Sequence, residues 1–124
     1  MRLSIRLSTE TMQSISKLKQ TDIVQEKFSG LRITNGNIVN YVFQTVFKEE
    51  NLNWEEIISS DPIYFEDNIA IDEIKTNLTV SDEVVKKIED LKDILPKYTG
   101  TSYVTVPFVI RMVVRAYLLQ NNIK

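Results

Sequence analysis

Apolar and polar residues alternate in two short stretches of this chain, residues 3–10 and 76–83, which are offset by 73 positions. Alternation with a period of two is typical of a β-strand that buries one face. Each stretch reaches a serine, Ser8 or Ser81, that is closely followed by acidic residues. A serine side chain can cap the first N–H groups of a helix, and acids suit its positive end. The pattern therefore predicts, twice, a strand that runs directly into a helix.

The alternation divides the side chains of each predicted strand between a buried face and an outward face. The residues expected to face a core are Leu3, Ile5, Leu7, Ile74, Leu78 and Val80, with Thr76 as a weaker inward position. The residues expected to face outward are Arg2, Ser4, Arg6, Lys75, Asn77 and Thr79.

Two predicted helices follow each strand. Apolar stripes at helical spacing mark the first helix of each copy, at residues 12–18 and 84–95, and polar stretches predicted to be irregular follow at 20–32 and 96–103. The second helices are predicted to begin after cap residues Thr34 and Thr105 and to end near Glu50 and Gln120. Pro107 falls in the first turn of the last helix, where its missing N–H costs little.

One such unit cannot pair its strand or cover its apolar face by itself. Two units can do so together if their strands pair antiparallel and the four helices pack beneath. We therefore predict a mainly α fold with a two-stranded antiparallel β-ribbon, in which a first unit (1–50), an acidic linker (51–73) and a second unit (74–124) form an intramolecular pseudo-two-fold dimer with one core. Exchange of halves between two chains would bury the same core, and the sequence leaves that alternative open.

The net charge of −2 hides a strong partition of charge along the chain. Residues 1–48 carry +4, residues 49–73 carry nine acids and no base, and residues 74–124 carry +3. Two mildly basic units therefore flank one acidic segment. Such a charge distribution is informative about the molecules that a protein binds, and says little about its fold. The segment is either a solvated linker or a docking surface for a protein partner, and the sequence does not separate these two interpretations.

The composition excludes several kinds of chemistry. The 124 residues include no Cys and no His, which removes disulfides, Cys/His zinc sites and histidine acid–base catalysis. The linker carboxylates lack the spacing of a calcium loop, and no glycine-rich phosphate loop is present. We expect no metal, no cofactor and no enzymatic activity. Apolar runs are too short to span a membrane and no signal peptide is visible, so a cytoplasmic location is the default expectation.

A strand with alternating Arg-x-Ser-x-Arg, a capped helix, a loop and a long helix that starts at Thr34-Asn35-Gly36-Asn37 resembles the ribbon-helix-helix DNA-binding family. Two copies in one chain resemble its tandem, single-chain version. The resemblance implies that the paired strands enter the major groove of double-stranded DNA and read bases with the outward residues Arg2, Ser4, Arg6, Lys75, Asn77 and Thr79.

The resemblance also implies that a DNA phosphate sits at the amino end of each second helix. Thr34, Asn35 and Gly36 fit that role in the first unit, and Thr105 fits it in the second. Val106 and Pro107 depart from the pattern, because proline removes one N–H donor.

Within this resemblance, the tandem arrangement is similar to TraY-type relaxosome accessory proteins of conjugative plasmids, which act at a transfer origin. The alternatives are a transcriptional repressor or autoregulator and a plasmid partition (centromere-binding) protein. A relaxase or another plasmid protein is a candidate partner for the acidic linker. A different class, a protein-interaction module that has lost DNA contact, would favour acids on the outward strand face, where the sequence has none.

Overall fold

The structure, a computed structural model, describes residues 1–48, 52–65 and 73–123, and for residues 73 and 74 the backbone alone. It is mainly helical with one two-stranded antiparallel sheet, as predicted for the coarse fold class. In chain order the elements are β1 (Arg2–Ser8), α1 (Thr9–Lys19), α2 (Asp22–Lys27), α3 (Asn35–Val46), α4 (Trp54–Ser59), β2 (Glu73–Thr79), α5 (Asp82–Ile94), α6 (Pro96–Thr99) and α7 (Val106–Gln120).

The two strands come from opposite ends of the chain and pair with each other. Their register places Arg2 opposite Thr79 and Ser4 opposite Asn77. The terminal ammonium of Met1 donates to the carbonyl oxygen of Val80 at 2.8 Å, and the Val80 N–H donates to the Met1 carbonyl oxygen at 2.8 Å. The pairing therefore continues one residue beyond the strands and joins the N-terminus to the second half of the chain.

Four predicted helix caps are confirmed. The side chains of Ser8, Thr34, Ser81 and Thr105 each accept a hydrogen bond from the backbone N–H three residues later, at 3.1–3.3 Å. Each cap satisfies one donor that a helix start leaves without an intrahelical partner. The starts of α1, α3, α5 and α7 are thus set by local sequence.

The core lies between the ribbon and the long helices α3 and α7. Leu7 and Leu78 project from the strands into this core and are fully buried. Helix α3 packs against β2, and α7 packs against β1, so each long helix supports the strand from the other end of the chain. The two helices also meet each other, where the hydroxyls of Tyr41 and Tyr117 lie 3.0 Å apart. Burial and this hydrogen bond raise the pKa of Tyr117 above its ordinary value.

The two stretches predicted to be irregular contain short helices, and that part of the prediction is wrong. Helix α2 lies within residues 20–32 and buries Val24, and the single turn of α6 begins at Pro96. Proline is well suited to a first helical position. Helix α3 ends at Val46, and the predicted end near Glu50 lies outside the described residues. The side chain of Ile74, predicted to point inward, also lies outside them.

The described part of the acidic linker is packed against the protein. Its helix α4 buries Trp54 and Ile57 and contacts α6 and α7. After α4 the chain runs along α1, where the N–H of Ile63 donates to Glu10 Oε2 at 3.1 Å and the N–H of Phe65 donates to Gln13 Oε1 at 2.9 Å. Residues 52–65 are therefore part of the folded unit, which excludes the solvated-linker interpretation for this segment.

A buried ion pair joins the first helix, the linker and the last helix. Arg115 donates from Nε and Nη2 to the two carboxylate oxygens of Glu10 at 2.8 and 2.7 Å. Its Nη1 donates to the carbonyl oxygens of Ile57 and Ser60 at 3.3 and 3.1 Å. Arg111 Nε lies 3.0 Å from Glu10 Oε1 and adds a second cation. Glu10 and Arg115 are 4% and 2% exposed, so water does little to screen their attraction.

We expect Glu10→Gln to lower the free energy of unfolding by about 3–5 kcal/mol, because the change leaves the Arg115 charge buried without its carboxylate. Glu83 offers a matched control, since it lies in the first turn of α5 as Glu10 lies in that of α1, but is exposed. Glu83→Gln should cost only about 0.3–1 kcal/mol, through the helix dipole. Urea unfolding of the two variants measures both values, and equal losses would contradict the central role given to the buried pair.

Candidate nucleic-acid interface

One face of the ribbon carries all six residues predicted to read bases. Every one of these side chains is exposed: Arg2, Ser4, Arg6, Lys75, Asn77 and Thr79. The alternate positions turn inward, as the full burial of Leu7 and Leu78 shows. The structure therefore brings the six residues together on one solvent-facing surface, here called the ribbon face.

The ribbon face carries unbalanced positive charge. Arg6 lies directly opposite Lys75 in the register, an arrangement in which like charges repel. Arg2 adds a third cation on the same face, and none of these three side chains forms an ion pair with a side chain of residues 1–48, 52–65 or 75–123. Such a face would gain free energy from an anionic ligand that separates and neutralises the charges.

The middle of the ribbon face is polar and uncharged. Ser4 and Asn77 lie opposite each other, between the Arg2–Thr79 and Arg6–Lys75 pairs. An Asn amide can donate and accept at once, as adenine recognition in the major groove requires, and a Ser hydroxyl can also do both. The face thus combines charge for a phosphate backbone with donors and acceptors for base edges.

The amino end of α3 lies against the end of β2. A Cβ atom added to Gly36 would lie 2.3 Å from the Thr79 carbonyl oxygen and 3.0 Å from the Thr79 nitrogen. Gly36 is buried and lets the backbone of α3 approach the backbone of Thr79 closely. The sequence predicted only a phosphate-binding role for Gly36, and this packing role was not predicted. The approach sets the start of α3 beside the ribbon face.

Thr34 is the exposed group at this helix start. Its hydroxyl oxygen accepts from the Asn37 N–H at 3.1 Å, and the hydroxyl hydrogen can still be donated to an anion. Asn35 is half-buried in the first turn. The first N–H groups of a helix lack intrahelical acceptors, so this end of α3 also offers backbone donors.

The amino end of α7 is built differently. Thr105 is exposed and accepts from the Phe108 N–H at 3.3 Å, which matches Thr34. Val106 and Pro107 are half-buried in the first turn, where the proline has no N–H to offer. The two helix starts therefore have different capacities to bind an anion.

Two further cations, Lys19 and Arg32, lie close enough for their charges to interact. Partial burial, and then the positive charge of Arg32, lower the pKa of Lys19. The carbonyl oxygen of Arg32 accepts from Asn37 Nδ2 at 3.1 Å, which ties the residue to the first turn of α3. The fold thus brings Lys19, at the end of α1, within the electrostatic influence of Arg32, which precedes Thr34 by two residues.

A metal site and a membrane-spanning helix both lack support in the described part of the chain. Its residues form no group of three His, Cys, Asp or Glu side chains that could hold a metal ion. None of its helices has the length and apolar character needed to cross a membrane.

Comparisons with known proteins found no matching family model, no similar curated protein and no similar solved structure.

We expect Gly36→Ala to destabilise the protein by about 3 kcal/mol, because the new methyl group would collide with the Thr79 backbone. Helix propensity alone predicts the opposite sign, a gain of about 1 kcal/mol. Gly30→Ala serves as the control, because Gly30 has a φ of 77° and open space where the Cβ would lie, so it should cost only about 1 kcal/mol. Urea unfolding measures both changes, and a Gly36→Ala protein as stable as the unmodified one would contradict the close approach.

Proposed function

We propose that this chain is a sequence-specific double-stranded DNA-binding protein, without enzymatic activity, that reads the major groove with the ribbon face. The observation that carries the proposal is the ribbon face itself: six exposed polar side chains, three of them cationic, with no acidic partner among the side chains that the structure describes. A two-stranded ribbon fits the major groove, which is about 12 Å wide.

The register supports a two-fold relation between the two halves. The sequence repeat is offset by 73 residues, so Asn77 is the equivalent of Ser4, and these two residues lie directly opposite each other. A local two-fold axis through this pair relates Arg2 to Lys75 and Arg6 to Thr79. The packing of α3 on β2 and of α7 on β1 follows the same relation. We propose on this basis that two ribbon-helix-helix units form an intramolecular pseudo-dimer.

The two halves of the ribbon face would read different sequences. Positions related by the proposed axis carry different residues, Arg2 against Lys75 and Arg6 against Thr79. Arg can make a bidentate contact to guanine, whereas Thr makes shorter and more adaptable contacts. The proposed target is therefore a DNA site with unequal half-sites.

The helix starts would hold the DNA backbone unequally as well. The α3 start combines Thr34, backbone donors and nearby cations, whereas Pro107 weakens the α7 start. Phosphate contacts fix the register of a protein on the duplex without reading its sequence. We propose that the α3 end supplies the stronger anchor.

For the biological role, we propose an accessory protein of a plasmid relaxosome that marks a transfer origin, since the tandem single-chain arrangement resembles that group. A repressor or a partition protein of the same fold is the alternative. The position of the recognised motif in the source replicon distinguishes them, because a transfer origin, a promoter and a centromere are different sites.

Selection of bound sequences from a random duplex pool tests the main proposal. We expect the full chain to enrich a motif with unequal halves, and Arg6→Ala to relax one position of it at a cost of about 1–3 kcal/mol. Lys97→Ala is the control, because Lys97 is an exposed cation on α6, which packs against α4 and α5. Absence of any enriched motif, or equal effects of the two variants, would contradict base reading by the ribbon face.

Variants of the two helix caps, Thr34 and Thr105, test whether the α3 start binds a DNA phosphate more strongly than the α7 start. Thr34→Ala and Thr105→Ala should each lose about 1 kcal/mol of stability, because each removes the same kind of cap. Only Thr34→Ala should also weaken DNA binding strongly, by about 1.5–3 kcal/mol, because it removes a hydrogen bond to a charged phosphate. Titration of a fixed duplex at constant salt measures the difference, and equal losses of affinity would count against an anchor at α3.

A further inference from the structure

A groove lies between α3 and α5, with a volume of about 330 Å³. Its floor is apolar and consists of Phe43, Phe47 and Val84. Phe43 and Val84 are each 2% exposed, and Phe47 is partly buried. No residue of the described part of the chain fills this groove.

The rim of the groove is charged. Lys48 and Lys87 lie along it together with Glu83. The Nζ atom of Lys87 lies 5.0 Å from the centroid of the Phe47 ring, so the cation is held over the apolar floor. The groove can therefore receive an apolar side chain and a carboxylate next to each other.

The chain itself fills the equivalent groove in the other half. On the two-fold relation proposed above, on which this inference rests, Glu83 corresponds to Glu10 at the strand offset of 73. Gln44 corresponds to Arg115 at the offset of 71 that separates the helix caps Thr34 and Thr105. The groove beside Glu10, between α1 and α7, holds the extended segment that follows α4 and is bonded through the N–H groups of Ile63 and Phe65. The Phe65 ring of this seated segment lies 5.8 Å from the Nζ of Lys17 on α1.

The segment that fills the groove between α1 and α7 indicates which ligand chemistry suits the groove between α3 and α5. It reads Asp-Pro-Ile-Tyr-Phe over 61–65 and continues in the sequence as Glu-Asp. Apolar residues are thus flanked by acids, which complements an apolar floor between two lysines. Glu83 has the position from which Glu10 accepts a backbone N–H, and can accept one from an extended peptide in the same way.

We propose that the groove between α3 and α5 is a docking site for an extended acidic–apolar peptide segment of a partner protein. Its apolar side chain would pack on Phe43, Phe47 and Val84, and its carboxylates would pair with Lys48 and Lys87. Phe47 lies about 16 Å along the helix axis from Gly36, at the opposite end of α3 from the ribbon face. DNA and the partner can therefore be bound at the same time.

The probe for this site is the blocked, fluorescently labelled peptide Ser-Asp-Pro-Ile-Tyr-Phe-Glu-Asp, titrated with the full chain up to about 1 mM by anisotropy. We expect saturable binding that weakens about tenfold in Lys87→Glu, because that change places like charges together. Lys86→Glu is the matched control, since Lys86 is the neighbouring exposed lysine of α5 and does not line the groove; it should change the affinity by less than about twofold. A second peptide, in which the acids are replaced by Lys, should not bind.

Three results would overturn the proposal. The first is the absence of saturable binding, and the second is an equal loss of affinity in Lys87→Glu and Lys86→Glu. The third is an affinity that falls in Lys17→Glu and not in Lys87→Glu, which would mean that the peptide displaces the chain's own segment beside α1. Sedimentation equilibrium tests a second copy as occupant: a dimer that Lys87→Glu abolishes would replace the partner protein by another molecule of this chain. Urea unfolding of each variant confirms that it is folded.

A DNA titration in parallel keeps this proposal separate from the function proposed above. Lys87 is not part of the ribbon face, so Lys87→Glu should bind duplex DNA within about twofold of the unmodified chain. If the peptide binds in a Lys87-dependent way and DNA does not bind, the DNA-binding function fails and the docking site stands. If DNA binds and the peptide does not, only the docking site fails.

Discussion

The pairing of β1 (Arg2–Ser8) with β2 (Glu73–Thr79) is the constraint on which the other contacts depend. Each strand is seven residues long, and within the described residues its only strand partner is the other one. An unpaired strand would leave its backbone donors and acceptors unsatisfied, so the two ends of the chain must meet. Once they meet, α3 is held under β2 and α7 under β1, and the polar side of both strands is left on one surface. The ribbon face is thus a consequence of how the core is closed.

The buried Glu10–Arg115 pair makes the two halves of the molecule different. It fixes the segment after α4 along α1 and α7 through the carbonyl oxygens of Ile57 and Ser60 and the N–H of Ile63. On the two-fold relation that we propose, the equivalent positions are Glu83 and Gln44, and no described residue fills the groove beside them. A buried ion pair is weak support for stability in general, but its loss from one side is costly, which makes the arrangement specific. On that proposed relation, the difference between the halves that seats the linker also produces the docking site that we propose.

Much of the local structure could be predicted from the sequence, and the parts that could not share a physical cause. The caps at Ser8, Thr34, Ser81 and Thr105 and the outward position of the polar strand residues were predicted, because capping and alternation involve only neighbouring residues. The short helices α2 and α6 were missed, since one or two turns carry no periodic signal and depend on burial of residues such as Val24. The same holds for the candidate DNA contacts. The ribbon residues were predicted from alternation, whereas the interaction of Lys19 with Arg32 is seen only in the tertiary structure.

The sequence by itself determined the order of the two strands and the four long helices, the starts of those helices, the polar face of the ribbon and the division of charge between two basic units and an acidic segment. These properties depend on residues within a few positions of one another. Only the tertiary structure decided that Glu10 meets Arg115, that Gly36 meets the backbone of Thr79, and that the segment around Ile63 and Phe65 lies along α1. Such contacts join residues that are far apart in the chain, and they exist because close packing of the core leaves few positions for each side chain.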